Sequence, residues 1–131
     1  MVKMKIFPRF NDTDALGHIN NASFASWFEE ARRPLFEVFI PDLDPKKWNL
    51  IIAKIEIEYL AQTNFGQEVE IKTWLEKVGN SSMTVIQEAW QGGEHVAKGK
   101  SIMVHFDYDK QTSRPIPADI KDTLNKKFSA V

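Results

Sequence analysis

From Ser23 onward, Phe24, Trp27, Phe28, Ala31, Leu35, Val38 and Phe39 recur at intervals of three and four, which predicts one apolar stripe on a helix. Glu29, Glu30, Arg32, Arg33 and Glu37 fall mostly off that stripe, and Glu29 with Arg33 makes a favourable pair one turn apart. Asn20 or Asn21 can cap the start. Pro34 lacks a backbone donor, so the pattern predicts a kink or an early helix end there. Ahead of the helix, Lys3 to Arg9 reads as a short strand ended by Pro8, followed by a polar loop from Asn11 to Asn21.

Past a proline-containing loop, Pro41 to Trp48, the period changes from helical to two. Ala53, Ile55, Ile57 and Tyr59 alternate with Lys54, Glu56 and Glu58, which predicts a half-exposed strand. Val69, Ile71, Thr73 and Leu75 alternate with Glu70, Lys72, Trp74 and Glu76 in a second. Gly79-Asn80 reads as a hairpin turn, Met83 to Trp90 as a strand, Gly92-Gly93 as another tight turn and His95 to Asp107 as a long last strand. One face of that last strand, Ala97, Gly99, Ser101 and Met103, is small, so a helix can approach it closely. Pro117 to Phe128 suits a short amphipathic helix. Strands grouped apart from one long helix predict an α+β domain spanning residues 1–131 with a mostly antiparallel sheet. One sheet around one helix leaves an uncovered edge, which predicts a dimer or a dimer of dimers.

Composition removes several function classes. A formal charge of -1, with Lys and Arg scattered along the chain, lacks the electrostatic footprint of nucleic-acid binding. No apolar run reaches the ~20 residues of a membrane span, and the N-terminus has no signal-peptide core, so a cytoplasmic location is expected. Without cysteine there is neither a thiolate nucleophile nor a cysteine metal site. His18, His95 and His105 lie too far apart for a helical zinc motif, and no metal site is expected.

The densest cluster of reactive side chains is Asn11-Asp12-Thr13-Asp14-Ala15-Leu16-Gly17-His18-Ile19-Asn20-Asn21. Asp, Asn and Gly are ordinary turn and cap formers, so structure alone accounts for them. Position adds a chemical reading. Free N–H groups at a helix start stabilise an oxygen anion, and a carboxylate beside them completes the parts for acyl transfer. Elsewhere, His95 beside the Gly92-Gly93 turn reads as a surface residue, and His105 as a hydrogen-bonded sheet residue. Trp27 and Phe28 read as core, and Glu29 and Glu30 as a solvated face or partners of Arg32 and Arg33.

The run Phe10-x-Asp12-x-Asp14-x-x-Gly17-His18-x-Asn20-Asn21-x-x-Phe24-x-x-x-Phe28-Glu29-x-Ala31-Arg32 resembles the signature of the 4-hydroxybenzoyl-CoA thioesterase-like branch of the hotdog superfamily. The likeness extends through Phe65-Gly66-x-x-Val69, Gly79-Asn80-Ser81-Ser82 and Arg114-Pro115-Ile116-Pro117. The resemblance implies a five-stranded antiparallel sheet wrapped around one long helix, dimerised edge to edge with active sites at the interface. It implies an acyl-CoA thioesterase with Asp14 as the catalytic carboxylate and the Asn21 N–H polarising the thioester carbonyl. His18 and Asn20 match residues that orient water or Asp14, and Gly79, Asn80, Ser81 and Ser82 are the candidates for binding coenzyme A, often across subunits. Coenzyme A is part of the substrate, and no separate cofactor is implied. Plant-type acyl-carrier-protein thioesterases have a similar loop with an asparagine where this chain has Leu16, which favours acyl-CoA over acyl carrier protein.

Two routes are open to Asp14: direct attack on the thioester, or activation of water if burial beside Leu16 makes it basic enough. Glu30 is the minor alternative, because another thioesterase branch uses a carboxylate on this helix. Two competing functions remain, a non-catalytic acyl-CoA-binding module and a hotdog dehydratase or hydratase using His18 with Glu30. Asn20-Asn21-Ala22 lacks the proline-glycine helix start of the dehydratases.

Overall fold

The computed structural model describes residues 1–14 and 16–131. Its elements are β1 (Val2–Ile6), α1 (Asn21–Ala31), α2 (Arg33–Phe39), β2 (Leu50–Tyr59), β3 (Val69–Val78), β4 (Ser82–Gln91), β5 (Glu94–Asp107), β6 (Thr112–Ser113) and α3 (Ala118–Lys127). All pairings are antiparallel, in the order β1-β3-β4-β5-β2, with the two-residue β6 attached to β5. This is the hotdog arrangement, a curled sheet holding a helix.

The helix seats where β5 is smallest. A Cβ placed on Gly99 would lie 3.0 Å from the Phe28 ring, so glycine there admits the aromatic side chain. Phe24, Trp27, Phe28 and Ala31 of α1 pack on Val69, Ile71, Ala89, Val96 and Ala97 of the sheet. A second cluster joins Leu35, Phe39 and Ile40 to Leu50, Met83, Val85 and Met103, with Leu124 and Phe128 of the C-terminal helix. Burying each such large apolar side chain contributes about 1.5–3 kcal/mol.

The long helix carries the interruption expected near Pro34, which divides it into α1 and α2. Arg32 ends α1 and Pro34 lies in the first turn of α2, where its missing N–H does least harm. The break also shifts the ion pair: Arg33 reaches Glu30 at 3.5 Å rather than Glu29. Arg32 itself is buried. Its Nη1 donates to Gln87 Oε1 at 3.2 Å, while Gln87 Nε2 donates to the Phe28 carbonyl at 2.9 Å and to Thr73 Oγ1 at 3.2 Å. Burial lowers the Arg32 pKa, and Glu29 opposes that shift.

The two hairpins form at the expected glycines. Gly92 and Gly93 have φ of +60° and +79°, the left-handed pair that a two-residue hairpin needs.

The strand expected to be half exposed departs most from its pattern. A register shift between Ile52 and Lys54 leaves Ala53 bulged, which puts Ile52, Ile55, Ile57 and Tyr59 on the same concave face. Only Leu50 of β2 is buried, since the strand has one neighbour and α1 touches it only toward its end, at Ile57 and Tyr59. Ile52, Ile55 and Tyr59 are 43%, 43% and 47% exposed on an unpaired edge. Natural sheets do not leave such an edge bare to solvent.

Candidate active site

The chain enters α1 through a loop stitched by its own backbone. Asp12 is its buried anchor. One carboxylate oxygen accepts the Arg9 N–H at 2.7 Å and the other the Ser23 hydroxyl at 3.0 Å, while its carbonyl accepts the Asn20 N–H at 2.7 Å. Burial raises the Asp12 pKa, but the Arg9 N–H, the Ser23 hydroxyl and the Arg9 charge outweigh it, leaving the group below the usual carboxylate range. A depressed folded value means that this stability is present above the unfolded pKa of about 3.9 and lost as pH falls through the folded one. Burial and these bonds make Asp12 an anchor of the loop.

Asp14 occupies a different environment, exposed at the rim. Its Oδ1 accepts the Leu16 N–H at 2.8 Å and the His18 N–H at 3.1 Å, and its own N–H donates to the His18 carbonyl at 2.7 Å. Among the described residues no side chain or backbone donor is placed on Oδ2, so one carboxylate oxygen is oriented and the other is open. Leu16 is 80% exposed and gives no shelter to the carboxylate within one chain.

The helix start supplies the complementary group. Asn20 caps α1, its Oδ1 accepting the Ala22 N–H at 3.0 Å, and the Asn20 carbonyl takes the Ser23 N–H at 3.0 Å. Between them, the Asn21 N–H meets no acceptor among the described residues. Asn20 thus caps the helix through Oδ1, and the capping leaves Asn21 as the available backbone donor.

Asp14, His18, Ile19, Asn21 and Phe24 line one side of a cleft of about 350 Å³. The opposite side is Tyr59, Leu60, Ala61, Gln62 and Thr63, none of which the sequence marks as part of a site. These residues arrive by long-range pairing: the Ile19 N–H donates to the Thr63 carbonyl at 2.9 Å, and His18 bridges to Asn64. Thr63 is buried with its Oγ1 unpartnered. The apolar Tyr59-Leu60 pair at the end of β2 was the available signal, but it reads equally as strand.

Gly79, Asn80, Ser81 and Ser82 form the β3–β4 turn and lie outside this cleft. Within the chain the Asn80 carbonyl accepts the Ile116 N–H at 2.8 Å and the Ser81 carbonyl the His105 N–H at 2.8 Å. The structure does not bring this turn to Asp14 in one subunit. Glu30 lies with Arg9 and Asp12 in a separate hollow, away from Asp14. His105 is buried with Nδ1 3.0 Å from the Pro115 carbonyl, as a sheet residue. His95 is less superficial than expected: it stacks on Trp90 at 4.8 Å and faces Glu88 at 3.7 Å. Among the described residues no three His, Asp or Glu side chains converge as metal ligands.

Comparison with known proteins places this geometry among relatives. A family model described as the thioesterase-like superfamily matches residues 8–124. A Bacillus subtilis protein, YsmA, is 32% identical over 122 residues, covering 92% of this chain and 82% of YsmA. A Bacillus stearothermophilus structure described as a predicted thioesterase superposes with a TM-score of 0.94 at 39% identity, over 97% of this chain and 96% of that one. A Thermus thermophilus thioesterase complexed with coenzyme A and Zn superposes with a TM-score of 0.81 at 28% identity, over 95% and 91%.

Proposed function

The chain belongs to the thioesterase-like superfamily, and from that premise we propose that it hydrolyses acyl-CoA to a free acid and coenzyme A in the Asp14 cleft. The observation that carries this reading is one cleft holding both an open carboxylate oxygen on Asp14 and an unclaimed N–H on Asn21 at a helix start. The thioester oxygen accepts the Asn21 N–H, where the helix dipole favours the negative charge that develops on it. Asp14 Oδ2 then acts at the carbonyl carbon by one of two routes. In direct attack the C–S bond breaks, sulfur leaves as a thiolate that solvent protonates, and water cleaves the acyl-aspartyl anhydride to regenerate the carboxylate. In the alternative, the carboxylate takes a proton from a water that attacks in its place, the C–S bond breaks, and the departing thiolate takes that proton back from Asp14. Neither route needs a cofactor. His18 lines the cleft beside Asp14 and fixes it through its backbone.

In this reading the protein works as a dimer joined along β2. That edge carries Ile52, Ile55 and Tyr59 exposed, and the β3–β4 turn reaches an acyl-CoA only from a second subunit. The coenzyme A complex of the Thermus thermophilus relative supports the ligand class.

Purified protein is tested against short, long and aromatic acyl-CoAs by following thiol release and identifying the acid by mass spectrometry. The reading predicts turnover with at least one class. Tight binding of acyl-CoA with no thiol release from any of them would instead make the chain an acyl-CoA-binding module.

A further inference from the structure

Two aromatic rings, Phe24 and Tyr59, stand together in the lining of the cleft that holds Asp14. Phe24, buried on α1, meets Tyr59 at the end of β2 edge-on, with ring centroids 5.7 Å apart and planes at 72°. Behind Phe24 stand Trp27 at 5.0 Å and Phe28 at 6.3 Å. Phe28 in turn fills the space over Gly99, where even a Cβ would be 3.0 Å away. The small face of β5 that lets the helix approach is thus filled at Gly99 by an aromatic ring.

Tyr59 is held in place at two points. Its ring packs on Phe24, and its hydroxyl donates to the Asn21 carbonyl at 3.0 Å. The same residue whose N–H is open to substrate therefore fixes the wall opposite the carboxylate.

We propose that Phe24 and Tyr59 end the acyl subsite, so that the protein takes compact acyl groups of about six carbons or fewer and rejects long fatty chains. The proposal rests on the thioesterase reading and names its substrate class. At roughly 30 Å³ for each water-sized group, the cleft of about 350 Å³ holds roughly a dozen of them. The thioester carbon, oxygen and sulfur with the first pantetheine carbons are on the order of six heavy atoms, about half of that number, which leaves ~6 positions for the acyl chain.

Two ladders test this, both running from two to sixteen acyl carbons. One is hydrolysis of acyl-CoAs; the other is calorimetric binding of non-hydrolysable acyl-CoA thioether analogues. Each buried methylene is worth about a fourfold gain in affinity. The gain should continue to about six carbons and then stop, with kcat/KM falling beyond that length. Tyr59→Ala removes a half-exposed side chain, so it keeps the core, and it should move the break outward by two or more carbons. Phe24→Ala should do the same, with its thermal midpoint and mass checked because Phe24 is buried.

Affinity and turnover that climb steadily through twelve to sixteen carbons in the wild type would overturn the proposal. So would a break that stays put in both variants. If no thioester is hydrolysed but the binding ladder breaks near six carbons and shifts in Tyr59→Ala, the wall stands and the hydrolytic reading fails.

Discussion

Asp14→Asn is expected to lower turnover at least ~10²-fold while leaving the fold and acyl-CoA binding in place, because it removes the carboxylate that acts as nucleophile or base. The amide oxygen can still accept the Leu16 and His18 N–H groups that Asp14 Oδ1 accepts at 2.8 and 3.1 Å, so the loop keeps its shape. Asp12→Asn is the informative companion. Asp12 is buried, and its two oxygens take the Arg9 N–H and the Ser23 hydroxyl, while its charge faces Arg9 Nε at 3.7 Å. An amide has one acceptor oxygen, so one of these bonds is lost or inverted. The expected cost is about 2 kcal/mol of stability, in the range for a hydrogen bond to a charged group. Turnover per folded molecule should change only a few-fold. Thermal midpoints and thiol-release rates measured side by side decide the matter. An active Asp14→Asn beside an inactive but folded Asp12→Asn would reverse the assignment.

The second large effect is expected at the β2 edge. Light scattering should give the wild type a mass of about twice 15.1 kDa, or four times if dimers pair. Ile55 is 43% exposed on this edge strand, so Ile55→Lys costs a lone chain little. In a dimer joined along β2 it places two like charges near a shared axis, which costs several kcal/mol and weakens association by about 10²-fold or more. Adding Ile52→Lys, on the same face, should complete the dissociation. Turnover should fall with dimer content as protein is diluted, because the monomer lacks a partner's β3–β4 turn. A wild-type monomer, or a fully active monomeric variant, would remove the shared-site account.

The parts of this fold legible in the sequence are those governed by local periodicity. The stripe from Phe24 to Phe39 marks the helical region, Pro34 its break, and Gly92-Gly93 a hairpin. The small face around Gly99 foretells the approach of the helix, and Phe28 makes that contact. What stayed hidden depends on residues distant in the chain. The bulge at Ala53 reconciles two out-of-step apolar rows, and nothing local marks it. The far wall of the cleft, Tyr59 to Thr63, is brought over by the pairings of Ile19 with Thr63 and His18 with Asn64. Within the loop, Asp12 and Asp14 are both carboxylates and Asn20 and Asn21 both amides, so within each pair burial and hydrogen bonding separate anchor from open carboxylate and cap from open backbone donor. The Gly79–Ser82 turn is chemically suited to a ligand, yet its carbonyls hold β5 and the segment before α3.

The most direct test of the central claim is a crystal structure of Asp14→Asn with an intact acyl-CoA that the wild type hydrolyses. The account predicts the thioester oxygen within hydrogen-bond distance of the Asn21 N–H, with the side chain at position 14 facing the carbonyl carbon and the acyl group running toward Phe24 and Tyr59. A thioester bound elsewhere, such as over Trp90 and Lys72 on the outer face of the sheet, would contradict it.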